Sequence, residues 1–248
     1  MTGPDGLDLR ARLMTIYEHL LGRFGPQHWW PAETPFEVAV GAVLTQGVAW
    51  RNVEAAIANL KRAGLLEPRR LARAPLAEVA ALIRPAGYYN VKARKLRALT
   101  GHLVERYGGD MARLGDRPAA ALRAELLGLY GIGPETADAI VLYAANLPAF
   151  VVDAYTVRIV RRLGLSPKLP PAAAPARREP TYDEVQRLFT DALPADPALF
   201  NEYHALLVRL GKDACRARRP LCPTCPLANM CPAREEGEGC GAGAGYQV

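Results

Sequence analysis

Four cysteines near the end of the sequence have the number and spacing of a metal or cluster site. They occur within the segment CRARRPLCPTCPLANMC, separated by six, two and five residues, as Cys215, Cys222, Cys225 and Cys231. The three prolines of this segment favour turns that wrap the chain around one centre. Zinc and iron–sulfur clusters both accept four thiolates, so the ligand count alone leaves both open. Disulfides are disfavoured because we expect an intracellular chain, and Cys240 lies apart from the other four.

A second candidate site is the segment LYGIGPETADAI, residues 129–140. Gly131 and Gly133 predict a sharp turn, and Pro134 suits the first position of the helix that follows. Backbone amides at a helix N-terminus attract phosphate without help from any side chain. Many joints between helices also contain glycine, so the segment alone is consistent with a structural turn or a phosphate contact.

Composition and charge narrow the class of protein and of partner. The 248 residues are 50% hydrophobic, enough to bury a sizeable core in one large domain or two small ones. A formal net charge of +6 favours an anionic partner, nucleic acid above all, although solubility alone explains such a charge. The sequence contains no run of about 18 apolar residues and no apolar signal core near its N-terminus. We therefore expect a soluble cytoplasmic protein, associated with the nucleoid if the source is bacterial.

Apolar residues recur at helical spacing through most of the sequence, and each run ends at Gly, Pro or Asp. This pattern predicts helices over residues 9–24, 35–48, 53–63, 75–83, 91–107, 117–127, 134–143, 182–192 and 196–211. The best strand candidate, AFVVDAY, is short, so the predicted fold class is all-α. Residues 167–180 are rich in Pro and Ala and predict an exposed loop, and residues 234–248 predict a disordered tail.

Together these segments resemble the helix–hairpin–helix DNA glycosylases of the endonuclease III type. LYGIGPETADAI, FVVDAYTVRIVRRLG and the cysteine spacing carry the resemblance, which covers residues 10–233. It implies a [4Fe–4S] cluster rather than zinc at the four cysteines. It also implies two all-helical lobes, a six-helix hairpin domain over 28–147 and a cluster domain over 1–27 and 148–233. A monomer would bind double-stranded DNA in the groove between them, with the damaged nucleotide flipped out of the stack.

The resemblance assigns the chemistry to two acidic residues. The match of VVDAYTVR implies that Asp153 is the catalytic carboxylate, which stabilises positive charge on the sugar or activates water, whereas in isolation it reads as a helix N-cap. Glu135 stands where endonuclease III has a nucleophilic lysine. A glutamate forms no imine, and the hairpin contains no lysine. The resemblance therefore implies a monofunctional hydrolase of N-glycosyl bonds, with weak or absent AP lyase activity.

The expected substrate follows from Glu135 and the tryptophans. Glu135 matches the 3-methyladenine glycosylase branch of the family, and so does the WWP segment that contains Trp29 and Trp30. With Trp50 and Lys212 these would line a base pocket, since aromatic faces bind a cationic alkylated purine; packing in the core is the alternative. We rank alkylated purines first and oxidised pyrimidines second. The alternatives are a damage-binding protein with a degenerate site, or a bifunctional enzyme that uses a non-standard amine.

Other residues match positions that contact DNA in this family. The implied DNA-binding residues are Gln46, Tyr88, Tyr89, Gly131, Gly133 and Arg216. Gln46 would fill the gap left by the flipped base, and one of the two tyrosines would wedge into the duplex. Charged residues that could contact phosphates, or simply form solvated helix faces, are Arg51, Lys92, Arg94, Lys95, Arg218 and Arg219. His204 is expected to have a packing role.

Overall fold

The computed structural model describes residues 8–165 and 180–235, and within these ranges the predicted all-α fold is confirmed. The α-helices are α1 (Leu9–Phe24), α2 (Pro35–Leu44), α3 (Trp50–Arg62), α4 (Pro68–Arg73), α5 (Leu76–Leu82), α6 (Tyr89–Tyr107), α7 (Ala119–Leu127), α8 (Pro134–Ala139), α9 (Ala154–Arg162), α10 (Tyr182–Thr190), α11 (Pro197–Asp213) and α12 (Pro232–Glu235). Of the loop predicted over residues 167–180, residues 167–179 lie outside the described residues, and so do residues 236–248, which include Cys240 and most of the predicted tail. The first two residues of that predicted tail, 234 and 235, instead belong to α12. None of the described helices is long and apolar enough to cross a membrane.

The chain divides into two compact units. One, which we call the hairpin unit, is Trp30–Ala149. The other, the cysteine unit, contains the described residues up to Trp29 and those from Phe150 onward. The hairpin unit therefore begins at residue 30, where the sequence suggested 28, and ends at residue 149, where it suggested 147.

The hairpin unit contains seven α-helices rather than six, with α4 and α5 packed along α6. The additional helix is α4, which the hydrophobic pattern missed because only Pro68 and Leu71 are buried in it. Local capping explains its formation. The Glu67 side chain accepts hydrogen bonds from the backbone amides of Arg69 and Arg70, and a proline suits the first helical position.

The hairpin itself joins α7 to α8. Gly131 has a φ of 76°, a left-handed conformation that glycine adopts without strain, and Gly133 is the N-cap of α8. After Ala139 the helix continues as a π-helical turn over Ile140–Ala144, which packs against α2. Helix α2 is buried almost throughout, as its near-continuous apolar sequence predicts.

An aromatic cluster organises the core of the cysteine unit. The Phe150 ring stacks on Phe189, with centroids 3.9 Å apart, and meets the rings of Phe200 and Tyr203 edge-on. The Tyr203 hydroxyl donates to the Leu13 carbonyl at 2.8 Å, which ties α11 to α1. Such aromatic burial is a large hydrophobic contribution to folding. The strand candidate AFVVDAY has no strand structure: residues 149–152 form a buried connection, and the last two residues already belong to α9.

Helix α9 approaches α11 closely because Gly211 has no side chain. A Cβ at this position would lie 2.3 Å from the Tyr155 ring, closer than van der Waals contact allows. Arg158 on the same helix lies 5.1 Å from the Tyr155 ring centroid and donates to the backbone carbonyls of Gly211 and Cys215. These contacts fix α9 against the end of α11 and the start of the cysteine segment.

Candidate active site and cysteine pocket

Asp153 is the N-cap of α9. Its Oδ1 accepts a hydrogen bond from the Thr156 backbone amide at 2.7 Å and another from the Thr156 hydroxyl at 2.9 Å. The aspartate side chain satisfies an amide that the first turn of the helix leaves unpaired. The capping role considered for Asp153 is therefore present, and it uses only one of the two carboxylate oxygens.

The second oxygen of Asp153 faces His204, a residue that the sequence assigned only to packing. His204 lies on α11 with a side chain 6% exposed, and its Nε2 is 3.7 Å from Oδ2 of Asp153. Burial raises the pKa of the Asp153 carboxyl, but His204 and the two Thr156 bonds outweigh it, so the pKa lies below its usual value. Asp153 is therefore an ionised carboxylate at neutral pH. No local pattern in NEYHALLVRLGKDAC signals this contact, because it joins residues on different helices.

Glu135 is the second residue of α8 and is half-buried. The hairpin before Glu135 lies beside an amine side chain from another helix, that of Lys95 on α6. A Cβ on Gly131 would lie 2.5–2.6 Å from Cγ, Cδ and Cε of Lys95, so this glycine leaves room for the Lys95 side chain. A Cβ on Gly133 would meet no described atom within 4 Å, so packing does not require glycine there. The sequence named Lys95, on α6, only as a possible phosphate contact and did not place it beside the hairpin.

Gln46 joins this hairpin through its side chain. Its Nε2 donates to the Thr136 hydroxyl at 2.8 Å and to the Gly131 carbonyl at 3.3 Å, while Lys95 Nζ donates to its Oε1. Burial lowers the pKa of Lys95. Gln46 is thus held in one orientation at the hairpin, by partners that the sequence did not identify.

The turn before α6 presents one tyrosine to solvent. Tyr88 is 79% exposed and has a φ of 42°, whereas Tyr89 is half-buried with the Arg84 guanidinium 5.5 Å from its ring centroid. The prediction that Lys92 lies on a phosphate-contacting surface is wrong. Its side chain is buried, and Nζ donates to the carbonyls of Leu44 and Ala86 at 2.8 Å each. Burial lowers the pKa of Lys92 to about 8, with a smaller effect from the charge of Lys95.

The remaining charged candidates lie at the surface. Arg51 and Arg94 are exposed, with the Arg94 guanidinium 5.8 Å from the ring centroid of Tyr130, itself an exposed tyrosine. In the cysteine unit, Arg216, Arg218 and Arg219 are also exposed. Such positions are compatible with phosphate contacts and equally with solvated faces.

The proposed pocket residues fall into two groups. In the hairpin unit, the Trp30 ring contacts Trp50 and Tyr143, at centroid distances of 5.4 Å and 5.3 Å. Gly41 on α2 allows this position, because a Cβ there would lie 3.3 Å from Trp30. In the cysteine unit, the Lys212 ammonium lies 5.7 Å from the Trp29 ring centroid. Tyr143 was missed because its helix reads simply as an apolar run.

The four cysteines line one pocket, together with Arg162, which donates to Cys215 Sγ at 3.1 Å. All four are free thiols of intermediate exposure. Burial raises the pKa of Cys225, and the neighbouring thiols raise it further. Even so, no group of three or more His, Cys, Asp or Glu side chains in the described part of the chain is arranged to hold a metal ion. The predicted cluster ligands are therefore brought together but not confirmed.

Comparison with known proteins identifies relatives in DNA repair. A protein of Methanocaldococcus jannaschii named as a DNA repair glycosylase is 45% identical over 218 residues, 87% of this chain and 94% of that protein. A thymine/uracil-DNA glycosylase of Pyrobaculum aerophilum is 30% identical over 202 residues, 81% of either chain.

Solved structures give the same result. A trapped covalent endonuclease III–DNA intermediate matches with a TM-score of 0.75 at 25% identity, covering 93% of this chain and 99% of that one. The H. pylori 3-methyladenine DNA glycosylase bound to 1,N6-ethenoadenine matches with a TM-score of 0.66 at 28% identity, covering 83% and 98%. The HhH-GPD superfamily of base excision DNA repair proteins matches over residues 40–191, and this chain therefore belongs to that superfamily.

Proposed function

We propose that this protein is a base-excision DNA glycosylase that hydrolyses the N-glycosidic bond of a damaged nucleotide, with Asp153 as its catalytic carboxylate. The observation that carries the proposal is the environment of the Asp153 carboxylate. The carboxylate is mostly buried, its pKa lies below the usual value, one oxygen caps α9, and the other stands outside the cap. Membership of a base-excision repair superfamily supports the same activity.

The chemistry requires an anion near the sugar. As the bond between the base and C1′ breaks, positive charge develops on the sugar ring, and a carboxylate in a low-dielectric site stabilises that charge. Water then adds to C1′ and loses a proton. Oδ2 of Asp153 is the oxygen available for both tasks, because Oδ1 is committed to Thr156.

Base release would be uncoupled from strand cleavage. The side chain at position 135 is a carboxylate, which forms no imine with the sugar. We therefore propose a monofunctional enzyme that leaves an intact abasic strand.

We propose an alkylated purine as the preferred substrate. Flat cationic bases bind aromatic faces, and Lys212 already places a cation over Trp29, so the Trp30–Trp50 pair is the more favourable place for a second one. The match to a 3-methyladenine glycosylase supports a purine. A pyrimidine is the second candidate, favoured by the thymine/uracil-acting relative.

The duplex would be engaged by a small set of residues. Tyr88 is the better wedge of the two tyrosines because it is exposed and preorganised by its backbone, whereas Tyr89 is half-buried. Gln46 would occupy the space of the extruded base, and the hairpin glycines and Arg216 would contact the DNA backbone.

We propose that Cys215, Cys222, Cys225 and Cys231 hold a [4Fe–4S] cluster. The donor set fits such a group: four free thiols share one pocket, and the pKa of Cys225, which burial raises first, is raised further by the charge of its neighbours, a repulsion that a cationic centre would relieve. Bound there, the cluster would stabilise the fold of the cysteine segment, since hydrolysis transfers no electrons.

A lesion panel tests the proposed activity. Duplex oligonucleotides, each with one ethenoadenine, 3-methyladenine, thymine glycol, uracil or mispaired thymine, are incubated with the protein and then treated with alkali. We expect strand breaks only after alkali, greatest with the alkylated purines. Breaks greatest with a pyrimidine would reverse the substrate ranking. Tight binding without release from any lesion would identify a damage-binding protein, and a strong borohydride-trapped adduct would contradict the monofunctional assignment.

Metal analysis tests the cluster separately. We expect about four iron and four sulfide per chain and broad visible absorption, and we expect Cys222→Ser to lose both. Cys240→Ser is the matched control and should keep them. Stoichiometric zinc in a colourless protein would overturn the proposal.

A further inference from the structure

We propose that His204 is a positioning residue for Asp153, because its imidazole faces Oδ2, the carboxylate oxygen that the helix cap leaves available for base release. The proposal rests on the proposed function, and it assigns to His204 more than the packing role that the sequence suggested. The carboxylate is that of the proposed function, Asp153 at the start of α9, but His204 lies on a different helix, α11.

The two oxygens of Asp153 are held differently. Oδ1 is fixed by two bonds from Thr156, which lies on the same helix. Oδ2 has Nε2 of His204 at 3.7 Å, beyond hydrogen-bond distance but within the range of an ion pair. The imidazole therefore faces Oδ2 without forming a short bond that would lower the availability of this oxygen to a reacting group.

The surrounding packing fixes this separation. Tyr203, the neighbour of His204, is fully buried and bonded to the Leu13 carbonyl. Phe150, three residues before Asp153, packs edge-on against the same tyrosine ring with centroids 6.0 Å apart. One aromatic cluster thus anchors both the helix that carries His204 and the segment that leads to Asp153. Neither residue can move away from the other without disturbing a close-packed core.

The contact with His204 affects the ionisation of the Asp153 carboxyl. Asp153 is mostly buried, and burial alone would favour the protonated acid, which stabilises no positive charge. Two titratable side chains from neighbouring helices lie at this segment: His204 on α11, beside Oδ2 of Asp153, and Tyr182 on α10, whose hydroxyl accepts a hydrogen bond from the Val152 amide at 3.3 Å. Of these, His204 is the one that lowers the pKa of Asp153. Its loss should therefore leave Asp153 protonated at pH values where the wild-type group is ionised.

The test compares His204→Phe, which removes every polar atom of the side chain, with His204→Asn, which keeps a polar side chain that cannot carry a charge. The titration midpoint of Asp153 is measured by carboxyl-carbon NMR, assigned with Asp153→Asn, and single-turnover base release is measured from pH 4.5 to 8. We expect the titration midpoint of Asp153 and the acidic limb of the rate profile to move to higher pH in both variants. The shift should be larger in His204→Phe than in His204→Asn. Base release at the acidic end should fall by a factor on the order of ten, with DNA affinity unchanged.

His102→Asn is the matched control, because His102 is also part-buried and paired with a carboxylate, Glu125 at 2.6 Å. It should leave the midpoint of Asp153 in place. An unchanged midpoint in folded His204→Asn would overturn the proposal and leave His204 with packing alone. If wild-type protein releases no base from any lesion, the proposed function fails, whereas the NMR midpoints still decide the role of His204.

Discussion

In the described part of each unit, a histidine that is at least part-buried lies beside a carboxylate, and the two pairs are built differently. In the hairpin unit, Glu125 accepts at Oε1 from His102 and Tyr107, both at 2.6 Å, and at Oε2 from Arg106 at 2.9 Å. In the cysteine unit, Asp153 has both of its short bonds on Oδ1. The two carboxylates are similarly buried, with side chains 11% and 14% exposed.

The difference shows that a lowered pKa does not by itself distinguish Asp153, the carboxylate proposed as catalytic, from Glu125, which has a structural role. Burial raises the pKa of both groups, and polar partners then bring both below their usual values. What differs is the use of the oxygens. Both oxygens of Glu125, on α7, accept hydrogen bonds from side chains of α6, whereas one oxygen of Asp153 makes no short hydrogen bond. A carboxylate with one oxygen outside any short hydrogen bond can serve a reaction, and one with both oxygens hydrogen-bonded serves the fold.

The largest expected effect comes from Asp153→Asn. Base release should fall by about 10²–10³-fold, because the neutral amide no longer stabilises positive charge on the sugar. Stability should change by less than about 1 kcal/mol, since asparagine is also a good N-cap. Single-turnover rates and urea unfolding measure the two quantities. Unchanged release would remove Asp153 from the mechanism.

The opposite pattern is expected for Glu125→Gln. An amide cannot satisfy the histidine, the tyrosine and the arginine together, so the free energy of unfolding should fall by about 2–3 kcal/mol. Base release per folded molecule should stay within about twofold, because no reacting group is altered. Urea unfolding and a single-turnover assay on the same preparation measure the two quantities. A large loss of activity with intact stability would show that Glu125 serves the reaction rather than the fold.

Acid should destabilise the two pairs in the same direction. Each carboxyl pKa is lower in the fold than in the unfolded chain, so its contribution to stability is present above the unfolded value of about 4 and is lost as the pH falls through the folded value. Urea unfolding of the wild type should therefore lose more free energy between pH 6 and pH 3 than that of Glu125→Gln. Equal losses of free energy in the two proteins would mean that the partners of Glu125 do not lower its pKa.

The sequence was informative about these sites where the information is local. Helical periodicity located most helices, and the segment VVDAYTVR indicated Asp153, because a cap and a short motif lie within a few residues of each other. The partner His204 was out of reach, since it comes from a helix about 50 residues away and an amphipathic pattern does not say which helix it will face. Lys92 shows the same limit, because a lysine in a polar-looking helix gave no sign that its ammonium would be buried against the carbonyl of Leu44, on another helix, as well as that of Ala86.

The smallest expected effects come from deleting one hydroxyl beside each carboxylate. Thr156→Val removes the hydroxyl bond to Oδ1 of Asp153 and leaves the backbone amide bond, and Tyr107→Phe removes one bond to Glu125. Each should cost about 1 kcal/mol of stability. Only Thr156→Val should also slow base release, by about threefold, since a carboxylate with one anchor fewer samples more orientations. Equal slowing by both would mean that stability, rather than the orientation of Asp153, limits the rate.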